Sequence, residues 1–146
     1  MAEVRRSLWI DAPPEVVHRQ FTDPARIAAW AGCGADLDPR PGGIYRLDMG
    51  RAGVFAGRFV TVTPGLIVQE VGVPGQAPSR IEIVLAAEAG GTRLTLTHSG
   101  LPDGVGAMAG RGWDHHLARL AVAAAGGAPA GDSLCVRPLT PDGGRL

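Results

Sequence analysis

The 146-residue chain is long enough for one domain with a substantial core and too short for two. Its 14 basic and 14 acidic side chains cancel, so it lacks the cationic surplus with which nucleic-acid binders neutralise phosphates. Every basic side chain is Arg, and the absence of Lys excludes Schiff-base catalysis and the phosphate-cradling Lys of a P-loop.

The first strand is predicted from Val4 to Ile10, where Asp11-Ala12-Pro13-Pro14 stops it and opens a helix carrying Val17 and Phe21. Thr22-Asp23-Pro24 then supplies an N-cap and a proline at the first helical position, which restarts the chain as a second short helix through Ile27 and Trp30. Gly32 and Gly34 break that helix, and the stretch around Pro39, Pro41, Gly42 and Gly43 fits a loop or an edge strand. Strand-like segments follow at Ile44–Met49, Val54–Thr63, Leu66–Gly72, Arg80–Ala87 and Thr92–Ser99, separated by turns bearing Gly or Pro. Alternation puts Tyr45, Leu47 and Met49 on one face of their strand, as it does Ile81, Ile83 and Leu85, and Leu94, Leu96 and His98. A last helix is predicted from Gly110 to Ala125, with Trp113, His116, Leu117, Leu120, Ala121 and Ala124 along one side. Residues 126–146 are rich in Gly and Pro without periodicity and are expected to form a flexible tail behind a domain of residues 1–125.

Cys33 and Cys135 have no Cys or His around them at zinc-site spacing, and both are read as free thiols. The amino-terminal residues enter a strand without an apolar signal region, and no run is long enough to span a bilayer. A cytoplasmic protein without a membrane partner is the expectation. The arginines are interspersed with acids, without a basic tract beside stacked aromatics, so no nucleic-acid partner is expected either.

An antiparallel meander has one face to bury, and a terminal helix can cover it, which gives an α+β plan. In this order the segments Ile10-Asp11-Ala12-Pro13-Pro14-Glu15-Val16-Val17, Phe21-Thr22-Asp23-Pro24 up to Trp30, Arg40-Pro41-Gly42-Gly43-Ile44-Tyr45-Arg46, the run from Gly91 to Pro102, and Gly112-Trp113 with Leu117 and Leu120 resemble the heat-shock protein 90 ATPase-activator homologue family. That family lies within the START-like, polyketide-cyclase-like (SRPBCC) superfamily of helix-grip proteins. The resemblance implies a curved antiparallel sheet of about six or seven strands around a long C-terminal helix, with two short helices after the first strand and an internal hollow. It fixes no chemistry, because carriers, sensors, cyclases and self-resistance proteins share the scaffold. Two departures bear on the hollow. The family often has a second Trp where this chain has Ala31, and an aromatic in the strand where it has Gln69 and Glu70.

The expected ligand wall is Trp30, Tyr45, Leu47, Phe59, Ile83, Leu96, His98, Trp113, His116, Leu117 and Leu120. His98 lies among aliphatic residues and is either a ligand contact or acid–base group, or a structural His bonded near the Ser99-Gly100 turn. His116 follows Trp113 by nearly one helical turn and is directed to the same side, whereas His115 is rotated away. Adjacent histidines on a helix diverge, and no carboxylate or further His stands at i+3 or i+4, so no metal is expected. The strand at Leu66–Gly72 stays ambiguous. With Leu66, Val68 and Glu70 inward an acid enters the hollow; with Ile67, Gln69 and Val71 inward an amide does.

The leading functional reading is a cofactor-free binder of a small hydrophobic or aromatic molecule, acting as carrier, sensor or sequestering protein, monomeric or homodimeric, with His98, His116 and Tyr45 as polar anchors. The enzymatic alternative is a cyclase, dehydratase or hydrolase of a polyketide-like metabolite in which His98 or His116 shuttles a proton. Antibiotic self-resistance by sequestration is a third reading, implied by the resemblance alone.

Overall fold

The computed structural model describes residues 1–72, 75 and 77–130. The chain order is β1 (Ala2–Ile10), α1 (Pro14–Thr22), α2 (Pro24–Trp30), β2 (Gly34–Leu37), β3 (Ile44–Asp48), β4 (Val54–Thr63), β5 (Leu66–Gly72), β6 (Ser79–Glu88), β7 (Gly91–Leu101) and α3 (Gly106–Ala124). All seven strands form one antiparallel sheet in the order β1-β7-β6-β5-β4-β3-β2. Six of them meander, and β1 closes the far edge by pairing with the last strand.

Local chemistry sets the helix boundaries. Asp23 ends α1, its N–H donating to the Arg19 carbonyl at 3.0 Å, and starts α2, its carboxylate accepting from the backbone N–H groups of Ala25 and Arg26. Pro24 then takes the first helical position, where a missing N–H costs nothing. α3 begins four residues before the predicted Gly110, because the turn at Pro102–Gly104 releases the chain directly into helix without a side-chain cap. It ends in a Schellman arrangement: Gly126, at φ 93°, donates to the Ala123 carbonyl, and Gly127 donates to that of Val122.

The curved sheet turns one face toward the helices. The register carries Tyr45, Gly57, Val71 and Ser79 across β3 to β6 as one row, and Phe59, Gln69, Ile81, His98 and Val4 across β4 to β1 as the next. Phe59, Ile83, Leu94, Leu96 and Leu120 are completely buried, and with Trp30, Phe21 and Ile67 they form the centre of a single apolar cluster. Gly57 is obligatory here: a Cβ would fall 1.7 Å from the Glu70 carbonyl oxygen on β5. α3 approaches β1 closely enough that a Cβ on Gly110 would meet the Arg6 guanidinium at 2.7 Å.

Cys33 corrects the expectation of two free thiols, because it is disulfide-bonded. Spacing along the chain does not disclose which sulfurs approach in space. Cys135 and residues 131–146 of the expected tail lie outside the described residues.

The Gly57 contact yields a measurable outcome. Gly57→Ala must displace β5 backbone rather than a flexible side chain, so a loss of stability above ~2 kcal/mol is expected in urea denaturation. A variant within ~0.5 kcal/mol of the parent would show that β4 and β5 separate freely at this row.

Candidate ligand site

The expected apolar wall residues Trp30, Tyr45, Leu47, Phe59, Ile83, Leu96, Leu117 and Leu120 are all buried and belong to one cluster, against which Trp113 packs partly buried. Trp30 closes its end of the cluster, with its indole N–H donated to the Gln20 carbonyl at 3.0 Å and its ring edge-on to Phe21 at 5.1 Å. Tyr45 stands edge-on to Phe59 at 5.6 Å, and burial pushes its phenol far above the ordinary range. The ring is therefore a neutral donor at any physiological pH.

His98 and Trp113 form the first polar feature. The Trp113 indole donates its N–H to His98 Nδ1 at 3.0 Å, and Ser79 Oγ lies 2.6 Å from His98 Nε2. An indole N–H can only donate, so Nδ1 must hold a lone pair and the imidazole proton must sit on Nε2. His98 then donates to Ser79, whose own hydroxyl donates to the Val71 carbonyl at 3.2 Å. This polarity is the reverse of a nucleophile–base pair, in which Nδ1–H is held by an acceptor and Nε2 takes the hydroxyl proton. Ser79 is not activated. Burial lowers the His98 pKa from 6.5 to about 4, so the ring is neutral throughout the physiological range.

His116 belongs to a different feature. It is buried on α3 with Nδ1 3.3 Å from the Trp30 carbonyl, which also accepts from Arg119 Nε at 3.0 Å. Arg119 reaches the Ala29 carbonyl at 3.3 Å as well, and that of Ala130, so one cation covers the last carbonyls of α2. His98 and His116 are thus not brought to a common point.

The sequence did not single out Ser79 and Arg119, and left Gln69 open. Alternation from Ile81 and Ile83 already put Ser79 on the inner face, whereas Arg119 was legible only from the packing of α2 on α3. On β5 the inner face is Ile67, Gln69 and Val71. Glu70 points away and pairs with Arg58 at 3.4 Å. Gln69 is 2% exposed, and its Nε2 has no hydrogen-bond partner. Val68, on the opposite face, is buried outside the main cluster.

A shallow cleft of about 370 Å³ lies elsewhere, between α1 at Pro14, His18 and Arg19 and the β4–β5 turn at Thr63 and Pro64. His18 Nε2 stands 3.0 Å from the Thr63 carbonyl there. None of the expected wall residues lines it. Among the described residues no three His, Cys, Asp or Glu side chains converge as a metal site, and no helix is long and apolar enough to cross a membrane.

The family model described as Activator of Hsp90 ATPase homolog 1-like protein matches residues 11–125, which span both short helices, β2 to β7 and α3. The chain belongs to this family. Its superfamily setting, the helix-grip fold of SRPBCC proteins, agrees with the sheet and helix order described above. The AHSA1-like protein RHE_CH02687 of Rhizobium etli is 36% identical, with 95% of this chain and 91% of that one covered and a TM-score of 0.71. Protein CV1439 of Chromobacterium violaceum is 27% identical, with 86% and 99% covered and a TM-score of 0.80. The curated relative C1711.08 of Schizosaccharomyces pombe, an uncharacterized protein, is 34% identical over 61 residues, 42% of this chain and only 17% of that protein's length. Family membership carries the fold; the site must carry the chemistry.

The lowered pKa of His98 makes stability depend on pH. The unfolded chain binds a proton on His98 near pH 6.5 and the folded chain only near pH 4, so between those values the unfolded state holds more protons. Stability contributed here is complete above pH 6.5 and is lost as pH falls to about 4. Thermal melts from pH 7 to pH 4 should show this decline, and Trp113→Phe should move the His98 titration upward in NMR, because protonating Nδ1 no longer sacrifices an indole bond. A His98 titration unchanged by Trp113→Phe would contradict the assigned tautomer.

Proposed function

We propose that this chain binds a small hydrophobic or aromatic molecule between the inner face of its sheet and α3, within a domain of residues 1–125, and does so without turning it over. The observation that supports this most directly is Gln69, a buried amide whose donor nitrogen has no protein partner amid apolar side chains. Leaving such a donor unsatisfied costs roughly 1–3 kcal/mol, which a purely structural strand position would avoid by carrying an aliphatic residue. A guest that accepts from Gln69 removes that penalty only in the bound state.

Binding without chemistry is supported by the His98 arrangement. Its two ring nitrogens are committed to Trp113 and Ser79, and the ring is neutral and of low basicity. A general base near neutral pH needs a free lone pair and a pKa near the working pH, and His98 offers neither. His116, engaged at the end of α2, stands beside a helix carbonyl instead of a nucleophile.

Two measurements test the reading. Native mass spectrometry of the gently purified protein should show a stoichiometric small molecule released on denaturation, whereas a bare protein mass together with no binding of apolar probes argues against the proposal. Gln69→Leu in the ligand-free protein should raise stability by about 1–3 kcal/mol in urea denaturation, since it removes an unpaired buried donor at nearly constant volume. A destabilised variant would mean that the amide is already satisfied within the fold.

A further inference from the structure

Resting on that reading, we infer that the guest presents a neutral carbonyl oxygen to Gln69 Nε2 and that anionic guests are rejected. Gln69 lies between Phe59 on β4 and Ile81 on β6, both buried and neither with a side-chain hydrogen-bond acceptor. The next residue along the row is His98, whose Nδ1 lone pair is already taken by Trp113. No acceptor among the described residues engages this donor, and on this inference the guest supplies it. Water is a poor candidate, because a buried water is held by two to four polar partners and this row offers it one free donor.

Charge narrows the guest further. Among the described inward-facing sheet residues the only formal charge is Arg6 on the edge strand, and it is tied to Asp114 of α3 at 2.6 Å. A carboxylate reaching Gln69 would lose its hydration against Phe59 and Ile81 without gaining a counter-charge. A ketone, quinone, lactone or amide carbonyl gives up little hydration and accepts one hydrogen bond, which is what a lone amide donor in an apolar wall can supply. Gln69 is thus a specificity-determining residue, selecting for one neutral acceptor on an otherwise apolar body.

Matched probes test this: 1-tetralone, tetralin, which lacks only the carbonyl oxygen, and 1,2,3,4-tetrahydro-1-naphthoate, measured by calorimetry against the 146-residue chain. The ketone should bind about ten-fold tighter than tetralin, the size expected for one buried hydrogen bond, and the carboxylate should not saturate the protein. Gln69→Leu, with Gln69→Met as a second near-isosteric variant, should bring the ketone-to-hydrocarbon ratio to about one while tetralin binding persists. The infrared carbonyl stretch of bound 1-tetralone should lie lower in the parent protein than in either variant. If tetralin binds but the parent shows no preference for the ketone, or the preference survives in both variants, the carbonyl assignment falls and the binding reading stands. If neither tetralin nor 1-tetralone binds the parent up to its solubility limit, the binding reading itself falls.

Discussion

The bond from the Trp113 indole to His98 Nδ1 governs more of this molecule than its single hydrogen suggests. Because an indole has a donor and no acceptor, it dictates the histidine tautomer, which dictates that Ser79 accepts from the ring and donates its own hydrogen bond to the Val71 carbonyl. Three strands and the C-terminal helix are thereby linked through one directed chain, β5 by a backbone carbonyl, β6 by Ser79, β7 by His98 and α3 by Trp113. The same direction leaves no free lone pair on the part-buried histidine that faces a hydroxyl, and burial lowers its basicity. The short Ser79–His98 contact therefore runs from ring to hydroxyl, opposite to a nucleophile–base pair.

Against that satisfied chain, the amide of Gln69 is the anomaly. It lies on the row that contains His98, two strands away, in a wall otherwise made of Phe59 and Ile81. The other buried side-chain nitrogen and oxygen atoms of the described residues have partners, including Thr92, whose hydroxyl donates to the Ala12 carbonyl at 2.7 Å. Natural interiors satisfy nearly all such groups, and the exception in the middle of the inner face is the donor that the proposed guest would engage. Stability surrendered at one position is a familiar trade where a site must remain receptive.

Much of this was legible in the sequence, and the parts that were not share a cause. Val54–Thr63 and Leu66–Gly72 were read to the residue because glycine, proline and alternation act within a few positions of where they are written. Asp23-Pro24 announced the break between α1 and α2 for the same reason. The inner face of β5 was not decidable, because Leu66 and Val68 compete with Ile67 and Val71 as apolar pairs and only the pairing with β4 and β6 breaks the tie. The disulfide at Cys33, the capping of α2 by Arg119 and the partnership of Ser79 with His98 also depend on contacts between distant segments. His116 illustrates the limit best: helical spacing directed it toward the sheet together with Trp113, whereas its ring lies at the Trp30 carbonyl at the end of α2, a contact that helical spacing does not disclose.

The family resemblance and the site now constrain one another. Membership explains why a seven-stranded curved sheet, two short helices and a long terminal helix assemble, and it is indifferent to what lies inside. On the inner face of β5 this chain carries Gln69, a directional donor, among apolar side chains. An aromatic ring there would add buried area and stabilise the empty protein; an amide does the opposite unless its hydrogen bond is completed. On the binding reading proposed above, a guest that accepts from the amide completes that hydrogen bond, which is strongest where the apolar side chains around it exclude water.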